Sequence, residues 1–441
     1  MTADADRDPR PPLRRNRDYV LLWTGAGATL LGARVSGIAY PLLVLWQSGS
    51  ATAAGLVGFA AMLPSLVVQL HAGALVDRFD RRRLMILCDL GCLLATASVA
   101  AAVLTGHVLL PHLMAAAFVQ GSLAIFYRLA ERAGVRHLVP PGQLPQALGA
   151  NEARGQAAGL LGVPAGSFLY AAARWSPFSA AALAHAMSLV SLLLIRKNFQ
   201  DAPSPGPPDA APPRKLTKEI TEGLAWTWRQ PFLRTVMILI SGSNLLFQGL
   251  SLVPMVIIHE SGGSAADIGV ITAVSGVGGM LGALSGAWWM RRANLRTLVI
   301  GCMAGWAVMM PLVAFTQRPV LIGLLFALAA HIGGVSNVAG GVYQVRITPD
   351  GLQGRVSSVM GVLGQGANSL GMLAGGAALD TFGASRTVLG ISAAMAVIAL
   401  LSFLLPAVAR APADEDPAAA DAADGPGPPG PTDNALERNA T

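Results

Sequence analysis

The side chains able to do chemistry in this 441-residue chain are few, and most of them interrupt apolar sequence. Arg34 stands in the middle of an apolar run from Tyr19 to Trp46. A guanidinium there can draw in an anion or keep a neighbouring carboxylate ionised; a fixed buried ion pair is the structural alternative. Gln120, Tyr127 and Glu131 fall within about 40° of one another around a helix of 3.6 residues per turn. Glu131 can serve as a proton site or as the partner of Arg128, Arg132 or Arg136. Asn244 and Gln248 are one helical turn apart and share a face. Asn337 and Gln344 share another, with His331 off it. Such groups either bind the polar parts of a solute or tie one helix to the next.

The patterns of a soluble enzyme do not occur. There is no HExxH, paired-cysteine motif, nucleophile elbow or phosphate loop. Cys88 and Cys92 share one helical face without further ligands and Cys302 stands alone, so apolar packing is expected of all three. Gly278, Gly282 and Gly286 recur every four residues, a close-packing signal between apolar helices and not a nucleotide loop. No metal, no cofactor and no enzyme activity are expected.

The elements that must hold these residues follow from composition. Hydrophobic residues make up 53% of the chain and charged residues 12%, about half the charged share of an ordinary soluble domain. Charged and Pro/Gly-rich breaks divide the apolar sequence into twelve spans: 19–46, 52–76, 84–105, 109–131, 146–172, 177–196, 232–258, 264–290, 295–316, 319–345, 354–381 and 385–406. An all-α membrane protein with twelve transmembrane helices is expected. Residues 1–18 are polar and basic, without the apolar core of a signal peptide. Six spans fill 19–196 and six fill 232–406. The linker 197–231 opens with a Pro-rich stretch and closes with an amphipathic segment carrying Trp226 and Trp228, read as a helix on the membrane surface. The tail 407–441 has no apolar periodicity and is expected to be disordered.

The net charge of +7 is a topology signal. With the N-terminus in the cytoplasm, 27 of the 31 Lys and Arg fall at cytoplasmic positions, three (Arg174, Arg318, Arg386) fall outside, and Arg34 lies within a span. Both termini are then cytoplasmic, in a multi-pass protein of the inner membrane. No basic cluster sits on a soluble domain, so no nucleic acid partner is expected. Arg far outnumbers Lys, which points to a GC-rich bacterial source.

The fourth and fifth spans align with the tenth and eleventh. Arg136 matches Arg346, Leu144 matches Leu352, and Gly162 and Gly166 match Gly371 and Gly375. The first and second align more weakly with the seventh and eighth, through Pro41 with Pro254 and Gly73 with Gly286. Two six-helix bundles in parallel orientation, a 6+6 pseudo-repeat, are typical of transporters whose site lies between the halves.

Between the second and third spans runs Gly73-Ala-Leu-Val-Asp77-Arg78-Phe-Asp80-Arg81-Arg82-Arg83. This resembles the GxLaDrxGrkxxl signature of the major facilitator superfamily, with Asp80 where Gly is usual. The segment Glu222 to Arg234 and the stretch from Leu138 through Asn151 resemble the macrolide-efflux and siderophore-exporter-like branch. The fifth span is similar to the antiporter motif of drug and proton exchangers, reading GVPAG where GPxxG is usual.

The resemblance implies a secondary transporter exporting a small amphipathic compound by alternating access, with proton antiport as the default. It implies a gating motif of Gly73, Asp77, Arg78 and Arg81 that latches the two halves. It places the first, fourth, seventh and tenth helices on the cavity, which makes Arg34, Gln120, Tyr127, Asn244, Gln248 and Asn337 the substrate candidates. Of 24 acids, 11 lie before Tyr19 or after Arg410 and none occupies a clear midplane position. Glu131 and Asp77 are the coupling candidates, with Glu152 and Asp89 also toward the cytoplasmic side. The expected partners are a small-molecule substrate, protons and membrane lipids, and the chain is expected to be a monomer. Import of an anionic solute is the alternative, motivated by Arg34; a non-transporting membrane sensor ranks below it.

Overall fold

The structure, a computed structural model, describes residues 12–197, 199, 225, 227–348 and 352–405. Except near its end, the expected surface helix of the linker lies outside them, as does the tail from 407.

Among the described residues twelve helices follow one another, and their breaks follow local chemistry. Helix α1 (Arg17–Ser48) starts where the Asn16 side chain accepts from the Tyr19 amide, and ends at Gly49 with φ 70°. Helix α2 is three pieces, Ala51–Met62, Pro64–Val67 and Gln69–Arg78. The sequence reads as one span, but Pro64 supplies no N–H and interrupts the ladder. Helix α3 (Arg81–Thr105) is capped by Asp80, whose carboxylate accepts from the Arg83 amide at 2.8 Å. That bond explains an acid where the signature has Gly. Helices α4 (Leu110–Leu138), α5 (Leu144–Ala172) and α6 (Ser176–Leu194) complete the first bundle.

Helix α7 is also broken, into Pro231–Leu250 and Val253–Glu260. Helix α8 (Ala265–Arg292) opens on a Ser264/Asp267 capping box. Helix α9 (Leu295–Met309) tightens into a 3-10 turn over Met310–Phe315, and α10 is Pro319–Ile347. Helices α11 (353–382) and α12 (384–404) join at Gly383, where φ is 76°. Nine stretches among the described residues are long and apolar enough to cross a membrane. That number counts α11 and α12 together, leaves out the broken α2, and leaves out α5, whose first half carries Asn151, Glu152, Arg154 and Gln156.

Small residues let the helices approach. A Cβ on Gly55 would come within 2.7 Å of the Met372 carbonyl oxygen and 3.2 Å of Gly376 Cα, so α2 and α11 meet backbone to backbone. The expected α8 stripe behaves the same way, with Gly278 and Gly282 against the α10 backbone at Ala327 and His331.

The two halves are joined unevenly along their length. One end carries Arg78, Arg81, Arg82, Arg136, Arg291 and Arg346 and is termed the basic end; the other is the neutral end. The largest apolar core runs across both halves at the neutral end, from Tyr40 and Leu42–Leu45 to Val253–Ile258 and Met372. A second core, around Tyr19, Met85, Tyr127 and Phe199, belongs to the first half alone. A third, of Leu298, Val335 and Ala339, belongs to the second. Toward the basic end, Gly73, Gly155 and Gly159 face open space. Among the described residues, an apolar core shared by both halves closes the neutral end, and the cores toward the basic end stay within one half each.

Candidate functional site

The seal itself is polar as well as apolar. Asp380, at the end of α11, accepts from the Ser50 hydroxyl at 2.7 Å and from the Ala51 and Thr52 amides at 2.8 and 2.9 Å. A carboxylate of the second half thus satisfies the free amides at the start of α2 in the first. The Trp46 and His259 rings meet across the same end in a tilted contact, with centroids 4.9 Å apart and planes at 56°.

Two arginines of the first half are exposed. Arg34 is exposed, and Gly162 of α5 leaves room for its stem. Arg128 on α4 is exposed as well and lies within electrostatic reach of Arg34 and Arg132. Among the described residues neither Arg34 nor Arg128 has a carboxylate partner. A surface with two like charges and no counter-ion favours an anion, or a solute presenting one.

The remaining candidates separate. Gln120 is buried and donates to the Ser36 hydroxyl at 2.8 Å, tying α4 to α1. Tyr127 is buried against α6, where its hydroxyl meets Ser188 at 3.0 Å. Both therefore sit in the packing of the first half in this conformation. Asn244 faces Gly364 of α11. Gln248 lies 3.5 Å from both the Ser251 hydroxyl and the Met372 sulfur. Asn337 is exposed on α10, while Gln344 donates to Ser357 at 2.7 Å.

Gly73 and Arg78 are exposed, and the side chain of Asp77 lies outside the described residues. Arg81 fastens the first half internally, with Nη1 donating to the Phe199 carbonyl at 3.0 Å and lying 2.9 Å from His137 Nε2. Arg82 donates to the Leu192 and Leu193 carbonyls, both at 3.0 Å.

Among the described residues, two buried acids of the first half each meet a basic side chain. Glu131 does not pair with the neighbouring arginines on α4. Its partner is Arg154 of α5 at 2.5 Å, which also donates to the Trp23 carbonyl at 3.1 Å and sits over the Trp23 ring. Sequence reasoning missed the second pair. Asp89 of α3 meets His185 Nδ1 of α6 at 3.1 Å, and the same carboxylate oxygen accepts from Thr29 of α1 at 2.7 Å. The available signal was one acid and one imidazole, each inside an apolar run. Their separation of 96 residues hid the pairing.

Comparison with known proteins fits this architecture. Residues 9–426 match the model of the transmembrane secretion effector family. A multidrug efflux pump, Tap, of Mycolicibacterium fortuitum is 28% identical over 383 residues, covering 85% of this chain and 92% of that protein. Tap of Mycobacterium tuberculosis (strain H37Rv) is 28% identical over 397 residues, covering 86% and 92%. Among solved structures, the nucleoside transporter NupG superposes with a TM-score of 0.68 at 12% identity, over 90% of this chain and 100% of that one. A bacterial homologue of the lysosomal transporter Spinster, in an inward-facing and unoccupied conformation, superposes with a TM-score of 0.66 at 14% identity, over 91% and 100%. At such identities the structural likeness concerns the fold alone. The chain belongs to the transmembrane secretion effector family of the major facilitator superfamily.

Proposed function

We propose that this protein exports a small amphipathic compound from the bacterial cytoplasm by alternating access, driven by proton antiport. The basic end faces the cytoplasm, in keeping with the excess of Arg and Lys there. Both termini then lie on that side of the inner membrane, and the chain works as a monomer among its lipids. The observation that carries the reading is the uneven seal. An apolar core shared by both halves closes the neutral end, and the cores toward the basic end stay within one half each, which supports access for a solute from the basic end only. The relatives named as multidrug efflux pumps support export of drug-like compounds.

The solute enters past Arg34 and Arg128, with Asn244, Gln248 and Asn337 on the opposite half. The halves then rock about their common core. The loop at Gly73, Asp77 and Arg78 latches the basic end once it closes, while the Asp380 contact is given up. A susceptibility panel in an efflux-deficient host tests this. Expression is expected to raise tolerance to at least one amphipathic antibiotic, and Arg34→Ala to lower it again. Import of an anionic solute is the second reading, favoured by the two arginines without counter-ions.

A further inference from the structure

Antiport needs a group that takes up and gives up a proton, and the first half holds two buried carboxylates that each meet a basic side chain. Glu131 is the poorer carrier. Its partner Arg154 stays protonated at any relevant pH, so that pair is a fixed electrostatic tie. Asp89 and His185 differ, because an imidazole exists in a neutral and a cationic form while a guanidinium stays cationic. Asp89 is 0% and His185 1% exposed. Among the described residues, Asp89 Oδ2 and His185 Nε2 have no hydrogen-bond partner, and neither has Arg154 Nε of the other pair.

Resting on the antiport reading, we infer that Asp89 and His185 together carry the coupling proton. With Nε2 protonated, an imidazolium faces a carboxylate and the pair has no net charge. When that proton leaves Nε2 for water, His185 keeps its Nδ1 hydrogen donated to Asp89, and the pair carries one negative charge. The Thr29 hydroxyl then supports the anion at 2.7 Å. Burying a net charge is costly, so the unloaded pair favours a conformation that admits water to α3 and α6, and the loaded pair favours the dry one. The groups shown near the pair come from α1, α3, α4 and α6. Cys88 and Cys92 lie beside Asp89 on α3. Tyr127 of α4 is within electrostatic reach of Asp89 and bonded to Ser188, one turn from His185 on α6. From α1 the facing group is Thr29. Arg154 of α5 is held by Glu131, whose field also reaches Tyr127.

The full-length protein in lipid nanodiscs is titrated by infrared difference spectroscopy between about pH 5 and pH 8. Imidazole bands are expected that vanish in His185→Gln and shift in Thr29→Val. The Thr29 variant keeps both groups of the pair and removes a donor to the anion, so its imidazole bands are expected to move relative to those of the wild type. Absence of a titrating His185 signal in the wild type overturns the inference.

The second arm uses norfloxacin in proteoliposomes, comparing pH-gradient-driven accumulation with gradient-free exchange. Asp89→Asn and His185→Gln are expected to lower the ratio of the two about tenfold or more. A purely structural role lowers both rates together, and an unchanged ratio overturns the inference. A wild type that moves norfloxacin but ignores the gradient removes antiport and this role with it. Where the wild type moves no norfloxacin, the titration alone decides, and a missing His185 signal there overturns the inference.

Discussion

Asp380 of α11 accepts a hydrogen bond from Ser50, at the start of α2, with the oxygens 2.7 Å apart. It also accepts from the Ala51 and Thr52 amides. This contact joins the two halves at the end where their apolar core is continuous. Its loss is therefore a test of the seal. Removing a cap of this kind costs about 1–2 kcal/mol, or roughly a five- to thirtyfold change in a two-state population. Asp380→Ala is expected to shift the protein toward the state open at the neutral end. Electron–electron distance measurements between spin labels, one on each half at that end, check it.

The backbone contact between Gly55 and Gly376 cannot accept a side chain. A Cβ on Gly376 would meet the Ala51 carbonyl oxygen at 2.5 Å and Gly55 Cα at 3.1 Å. Gly376→Val is expected to keep the neutral end from closing and to abolish transport while the protein still inserts and folds. Labelling of cysteines placed at that end should then rise at every substrate concentration.

Arg34 and Arg128 are exposed and have no carboxylate partner among the described residues. Losing one charge-assisted contact is worth about 1.5–3 kcal/mol. Arg34→Ala is therefore expected to weaken binding of a carboxylate-bearing substrate by roughly tenfold or more, and to leave an uncharged one nearly unaffected. Arg34→Lys should recover part of the loss, since it keeps the charge and not the planar fork. Competition binding with a matched acid and amide pair checks both.

The Glu131–Arg154 pair ties α4 to α5 near the start of α1. Removing one partner leaves a buried charge unpaired, which costs about 3–5 kcal/mol. Glu131→Gln is expected to lower thermal stability in detergent strongly. Glu131→Gln with Arg154→Met should recover much of it, which a coupled role in proton transfer would not.

The architecture was legible in the sequence because each span needs an apolar run of fixed length and each break carries a charge, Pro or Gly. The close packing of Gly278 and Gly282 on α10 followed from spacing alone. The interruption of α2 at Pro64 was missed because its hydropathy is unbroken. For the site, periodicity grouped Gln120 and Tyr127 correctly on one face of α4. It could not say that the face turns toward α1 and α6, because facing is decided by partners distant in sequence. The same limit hid the Asp89–His185 pair and gave Glu131 the wrong arginines as neighbours.

Direction of transport, measured in membrane vesicles of both orientations, bears most directly on the proposed export. Everted inner-membrane vesicles carrying the wild type are expected to accumulate norfloxacin when energised, and vesicles carrying Gly376→Val are not. Accumulation in right-side-out vesicles, with none in everted ones, would contradict export and leave the anion importer in its place.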